Sequence, residues 1–189
     1  MVTAAEQGRD TRDRLMDAAV ALIDERGWGA VTTRLVADRA GVRAGLVHYH
    51  FRSVDDLLID AALRTVRRLV DGVAATAVDD SGSGIAALLA RIAEFDDAAA
   101  GTRIFSETLL AATRRDRLRA GLAGVLAEFR ATLSARLETT VADPEATAAV
   151  LVAALDGLVL HRLIDPRVRA LDAGAALGRL AGIEPPSKE

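Results

Sequence analysis

Residues 32–51 read TTRLVADRAGVRAGLVHYHF, and the punctuation of this stretch decides the fold. Thr32 stands where a helix N-cap belongs, because its hydroxyl oxygen can accept a free N–H of the following turn. A short helix over about 33–40 follows, Gly41-Val42 makes a turn, and a second short helix covers about 44–51. Two helices this short, joined by a glycine-containing turn, form a helix-turn-helix. Val36, Ala40, Val42, Val47 and Phe51 fall at the positions that close such a motif against a preceding helix.

That preceding helix is expected over 11–26, where Leu15, Ala18, Ala19, Leu22 and Ile23 recur at helical spacing. Gly27 ends it as a C-cap would, and Gly27-Trp28-Gly29-Ala30 is a tight connector. Downstream, Ser53-Val54-Asp55-Asp56 starts a capping box, with Asp in place of the preferred Glu, for a long helix to about 78. Asp79 to Gly84 is a polar break. Helical stretches are then expected near 85–100, 102–113, 116–140, 145–164 and 172–181. Asp143-Pro144-Glu145 combines an N-cap, a proline at the first helical position and an acid in the first turn. Pro166 closes that helix, and Pro185-Pro186 marks a frayed tail.

Composition agrees with an all-α chain. Of 189 residues 51% are hydrophobic but only 3% aromatic, and alanine and leucine, strong helix formers, supply most of the apolar content. Cysteine is absent, which excludes disulfides and thiolate metal sites. The opening MVTAAEQGRD has no apolar core and so is not a signal peptide. The longest apolar run, Ala146 to Leu155, falls short of the roughly 18 uncharged residues of a membrane span. The expectation is a cytoplasmic protein that does not enter a membrane. Net charge is −3, with an uneven distribution: residues 1–53 carry eight arginines against seven acids, the remainder sixteen bases against twenty acids. Within 30–53, Arg34, Arg39, Arg43 and Arg52 face only Asp38, and His48 and His50 lie among them. A small basic face on an acidic body fits a DNA reader, although a solvated surface has the same composition.

The whole stretch TRDRLMDAAVALIDERGWGAVTTRLVADRAGVRAGLVHYHFRSVDDLL, residues 11–58, resembles the DNA-binding domain of the TetR/AcrR family of regulators. The matching elements are the helix ending in Glu25-Arg26-Gly27-Trp28, the Thr-capped helix with Val36-Ala37 and Ala40-Gly41-Val42, and Leu46-Val47-His48-Tyr49-His50-Phe51 in the place of the recognition helix. Asp56-Leu57-Leu58 continues the pattern. Two positions depart from it. His48 stands where tyrosine is commoner, and Val54 where a lysine usually sits beside the DNA backbone. Losing that lysine removes one phosphate contact, and Arg52 can supply part of the charge. The resemblance implies an all-α fold with an N-terminal three-helix helix-turn-helix domain over 1–53. A C-terminal helical ligand-binding and dimerisation domain would cover 54–189. It implies a homodimer on a palindromic double-stranded DNA operator, released by a small-molecule effector, and a repressor rather than an activator.

Helix-turn-helix docking puts the N-terminal end of the second helix toward base edges in the major groove. Arg43, Ala44 and Gly45 hold that end; Arg43 can pair with guanine O6 and N7, and Gly45 allows close backbone approach. Tyr49 and His50 offer polar tips to phosphate oxygens, as does Thr32 at a helix N-terminus. Arg34 reads as a phosphate or groove contact, and Thr33 and His48 complete the DNA-binding candidates. Leu46 is either a thymine-methyl contact or core. Phe51 reads as a core aromatic, and Arg39 as a surface charge. His48 and His50 lie two apart, whereas a helical metal pair prefers three or four, so neither metal nor cofactor is expected.

In the family the C-terminal region encloses a ligand cavity. Phe95, Arg103, Phe105, Glu107, Phe129, Asp156 and His161 are the candidates to line one, although Arg103 and Glu107, four apart, can simply pair along one helix. The stretch 145–164 is apolar nearly all round and should be buried on two sides. With 172–181 it is the expected dimer interface, Gly157, Gly174 and Gly178 allowing close approach; an internal core helix is the alternative. No Ser-His-Asp set, metal cluster or Gly-rich phosphate loop supports an enzyme, the three histidines lying at 48, 50 and 161. A helical interaction module that has lost DNA binding is the remaining reading.

Overall fold

The computed structural model describes residues 4–76 and 100–182. Within them the chain forms eight α-helices, two short 3-10 helices and no strand. The α-helices are α1 (Ala4–Arg26), α2 (Thr33–Ala40), α3 (Ala44–His50), α4 (Val54–Thr76), α5 (Ala100–Ala112), α6 (Asp116–Leu137), α7 (Pro144–Ile164) and α8 (Ala173–Leu180). The contacts divide into two compact units. The first comprises residues up to 66 together with 103–122, and the second the described parts of 67–102 and 123–189.

In the first unit α1 starts earlier than the apolar pattern suggests, because Ala4-Ala5-Glu6-Gln7 are themselves good helix formers. Its inner face buries Leu15, Met16, Ala18, Ala19, Leu22 and Ile23. Gly27 stops it with φ +76°, its N–H bonded to the Ile23 carbonyl at 2.8 Å. The connector is more ordered than a loop: Trp28–Ala30 makes a 3-10 turn, and Trp28 is buried. Thr32 caps α2, its Oγ1 accepting from the Leu35 N–H at 3.3 Å.

The α2–α3 turn depends on Gly41, at φ 66° and ψ 37°. The Val42 N–H reaches back to the Ala37 carbonyl at 3.0 Å and the Gly41 N–H to Asp38 at 3.2 Å, the paired bonds of a Schellman ending. Arg14 of α1 donates to the Ala40 carbonyl, tying this turn to the helix behind it. Val36, Ala37 and Ala40 of α2 and Val47 of α3 enter the core shared with α1, and Phe51 follows, with the Arg12 guanidinium 4.8 Å over its ring. At α4, Ser53 Oγ accepts from the Asp56 N–H at 3.0 Å, but Asp56 is too short to complete a reciprocal box. Its carboxylate instead accepts a hydrogen bond from the Ser53 hydroxyl, at 3.1 Å.

The second unit is centred on Phe129, Leu133 and Leu137 of α6 against Ala148, Leu151, Val152 and Leu155 of α7, with Val70 and Val73 of α4 and Leu177 of α8 partly buried around them. α6 ends at Leu137, short of 140, where Glu138-Thr139-Thr140 turns over and Thr140 and Val141 bond the Leu137 carbonyl. α7 begins on Pro144, its Asp143 cap accepting from the Ala146 N–H at 3.1 Å, and stops before Pro166. Asp172 caps α8 through the Ala175 N–H at 3.0 Å. The helix expected near 85–100 lies outside the described residues.

Gly41→Ala is expected to destabilise the fold by about 1–2 kcal/mol. The left-handed φ disfavours a Cβ, and that Cβ would stand 3.3 Å from Arg14 Nη2. A lower urea midpoint with an unchanged slope is the expected readout.

Candidate nucleic-acid interface

α3 has one inward residue and a nearly bare outer face. Val47 is fully buried, while Ala44, Gly45, Leu46 and His48 are exposed and Tyr49 is 80% exposed. The one buried side chain fixes the roll of the helix, and with it the direction of all the others. His50 is half-buried and meets the Tyr49 ring edge-on, centroids 5.0 Å apart and planes at 88°. Arg43 precedes the helix in an extended conformation, its side chain making no cap bond and lying exposed. Leu46, open between core and contact in the sequence, faces solvent.

At α2, Thr32 is exposed and Thr33 half-buried. Thr32 Oγ1 is engaged as an acceptor from Leu35, which leaves its hydroxyl proton to donate outward. Arg34 has Asp38 at 3.9 Å, a loose solvated pair. Arg39 is held differently: its guanidinium makes two bonds to Glu25 at 2.8 and 2.6 Å. That hydrogen bonding raises the Arg39 pKa and lowers that of Glu25, so Arg39 is tethered to α1. Arg43 and Arg52 make no ion pair among the described residues. The interface candidates Thr32, Thr33, Arg34, Arg43, Ala44, Gly45, His48, Tyr49 and His50 therefore all lie on one helix-turn-helix within one unit.

A polar clamp behind this surface left no trace in local sequence. Glu107 Oε2 accepts the Trp28 backbone N–H at 3.0 Å, across 79 positions. The Trp28 indole N–H points to Asp55 Oδ1 at 3.4 Å, and Arg115 donates to the same oxygen at 2.8 Å while its guanidinium lies 5.0 Å over the indole. Arg103 makes two bonds to Asp24, at 2.9 and 2.8 Å. Arg103 and Glu107 thus do not pair along α5 as their spacing allowed; each reaches the end of α1 or its connector. Opposed charges in distant segments were the available signal, but nothing in the sequence says which acid meets which arginine.

The ligand candidates divide between the two units. Arg103, Phe105 and Glu107 belong to the first unit; Phe129, Asp156 and His161 belong to the second. Phe95 lies outside the described residues. Phe129 is packed in the second unit's core, Phe105 is half-buried, and His161 is exposed. Asp156 is half-buried on α7, and desolvation raises its pKa from 3.8 to about 6, against the opposing pull of Arg130.

Residues 15–61 match the model for bacterial regulatory proteins of the tetR family, and residues 78–183 match the tetracyclin repressor-like C-terminal domain. The chain belongs to the TetR family of transcriptional regulators. An uncharacterized HTH-type transcriptional regulator of Mycobacterium tuberculosis is 27% identical over 174 residues, covering 87% of this chain and 89% of its own. The HTH-type transcriptional repressor KstR of the same species is 38% identical over 65 residues, 34% of this chain and 30% of its own. A transcriptional regulator from Rhodococcus sp. Rha1 superposes with TM-score 0.74 at 26% identity, covering 92% of this chain and 99% of that one. A TetR transcription regulator from Haloarcula marismortui shares the fold at TM-score 0.79 and 20% identity, covering 92% of this chain and 97% of its own. These likenesses point to a regulator of transcription and not to an enzyme.

Asp156→Asn is expected to raise stability at pH 7 by about 1–2 kcal/mol. Between about pH 6 and pH 4 the folded carboxyl keeps a proton that the unfolded one has lost, so wild-type stability gains as pH falls through that window. The advantage of Asn should therefore shrink from pH 6 downward and vanish below about pH 4, measured by urea unfolding of both proteins across pH.

Proposed function

We propose that the chain is a repressor that binds a near-palindromic operator as a homodimer and leaves it when a small molecule binds. The observation that carries the reading is α3, whose one fully buried side chain is Val47 and which offers Tyr49 and its neighbours to solvent. An aromatic 80% exposed contributes little burial to the fold of a lone chain, yet its ring and hydroxyl suit a sugar-phosphate backbone. In this reading Arg43, Ala44 and Gly45 meet base edges, and Thr32, Thr33, Arg34, His48, Tyr49 and His50 meet phosphates. The reader is residues 1–53 and the effector and dimer part 54–189, with 54–66 and 103–122 packed in the reader's own unit. KstR, named a repressor, matches over the reading part and lends support to repression.

Pairing is supported by α7 and α8. Pro144–Ile164 is long and apolar enough to cross a membrane by length and composition, with mean hydropathy 1.7 over its most apolar window, of which only 28% is buried. Yet the same helix forms one wall of the second unit's core and carries a buried Arg162, so a second copy is a better cover for its outer face than lipid. Ile164 of α7, at 80% exposure, and Leu180 of α8, at 85%, are further apolar side chains in solvent. Two recognition helices related by a twofold axis then demand half-sites about one helical turn apart. Of the ligand candidates, Asp156 supplies a polar anchor of tunable charge, and the protein works in the cytoplasm, where DNA and effector meet.

The contrary reading, an interaction module without DNA affinity, rests on Val54. Footprinting upstream of the protein's own gene, with sedimentation of the free protein, tests the main one: a dimer and a protected near-palindrome are expected. Arg43→Ala and Tyr49→Ala should each weaken binding about 10-fold or more; unchanged affinity in both variants would sink the groove assignment. Val54→Lys should tighten operator binding a few-fold and steepen the slope of log affinity against log salt by about 1, as one added phosphate contact requires.

A further inference from the structure

A pocket of about 400 Å3 opens within the first unit, between the Trp28–Gly29 turn and the end of α5. That volume suits a small molecule. Trp28, Leu110 and Ala111 give it an apolar wall, and Glu107, Arg114 and Arg115 its charge. Two of the three charges are already occupied. Glu107 holds the Trp28 N–H at 3.0 Å, and Arg115 is bound to Asp55 at 2.8 Å and stacked over the indole at 5.0 Å. These bonds fix the wall in advance, so a ligand need not order it. Arg114 is different. It is exposed and makes no ion pair among the described residues, and it stands next in chain to the pocket's Thr113, whose hydroxyl is bonded to the Leu110 carbonyl at 2.7 Å. Beside it, Leu110 is 64% exposed.

We propose that this pocket is a binding site for a small amphipathic monoanion, a carboxylate on a compact aromatic or aliphatic body. The carboxylate pairs with the Arg114 guanidinium, and the body lies against Leu110, Ala111 and the Trp28 edge. A neutral analogue forfeits the charge-assisted bond, a cation meets the unpaired Arg114 guanidinium, and a second negative charge would face Glu107. The site is independent of the operator-binding reading, because it needs neither DNA nor a second protomer.

Trp28 is the chain's only tryptophan, so intrinsic fluorescence reads this pocket directly. The full-length protein is titrated with sodium benzoate, benzyl alcohol and benzylamine at constant ionic strength, with calorimetry alongside for any binding that leaves the indole signal unchanged. Benzoate should bind saturably at about millimolar or better, with the alcohol and the amine at least about tenfold weaker. Arg114→Ala should weaken benzoate by about tenfold without altering the melting temperature, and Arg114→Gln should do the same. The proposal is overturned if no saturable binding occurs by either method, if benzyl alcohol binds as well as benzoate, or if both Arg114 variants bind benzoate as the wild type does.

Discussion

α3 spans seven residues, Ala44–His50, and an isolated helix of that length does not persist in water, since nucleation costs more than so few bonds return. It exists because its surroundings specify it: a left-handed glycine before it, Val47 in the core beneath it and Phe51 closing the turn after it. These supports all lie on the inner side or at the ends. The constraint is that a short helix must be held firmly from one face so that the other carries no structural duty. Much of the first unit serves this. α1 provides the floor, Arg14 ties down the end of α2, and the bonds around Trp28 fix where α2 begins relative to α1.

Charge is distributed on the same plan. Elsewhere in the first unit arginines are matched to acids in other helices: Arg64 to Asp13 and Asp17, Arg12 to Asp60, Arg117 to Asp56 and Asp60, Arg103 to Asp24. Each exposed pair contributes little to stability. Together they neutralise much of the body of the unit, while Arg43 and Arg52, on the helix-turn-helix or at its edge, are among the guanidiniums without an ion pair among the described residues. A net charge of −3 therefore says little about what that one face attracts.

The fold class and the family were legible because their signals are local. Thr32 and Gly41 act on backbone groups within a few positions, and the Leu15–Ile23 stripe needs only helical periodicity. The clamp was not legible, since Glu107 and Trp28 are 79 positions apart, and proximity in sequence suggested instead a pairing of Arg103 with Glu107. Trp28 stands in a tight glycine-flanked connector, and nothing local in that sequence says that its side chain is buried. Periodicity alone does not say that Phe129 packs with Leu133, Leu151 and Val152, because that depends on the register of α6 against α7. Which side chains of the second unit converge on a ligand is a question of tertiary register, and periodicity does not answer it.

The aliphatic outer face of α7 and α8 has a consequence for dosage. Val150, Ile164 and Leu180 lie in water on a solitary chain, so with the pairing proposed above, whatever stability the fold gains from covering them follows mass action. Dilution then does what a denaturant would do. A cell making few copies would hold a larger share of chains with this face bare, exposed to proteases and to sticking, than a cell making many. The working level of such a protein is bounded below by the affinity of its own copies for one another.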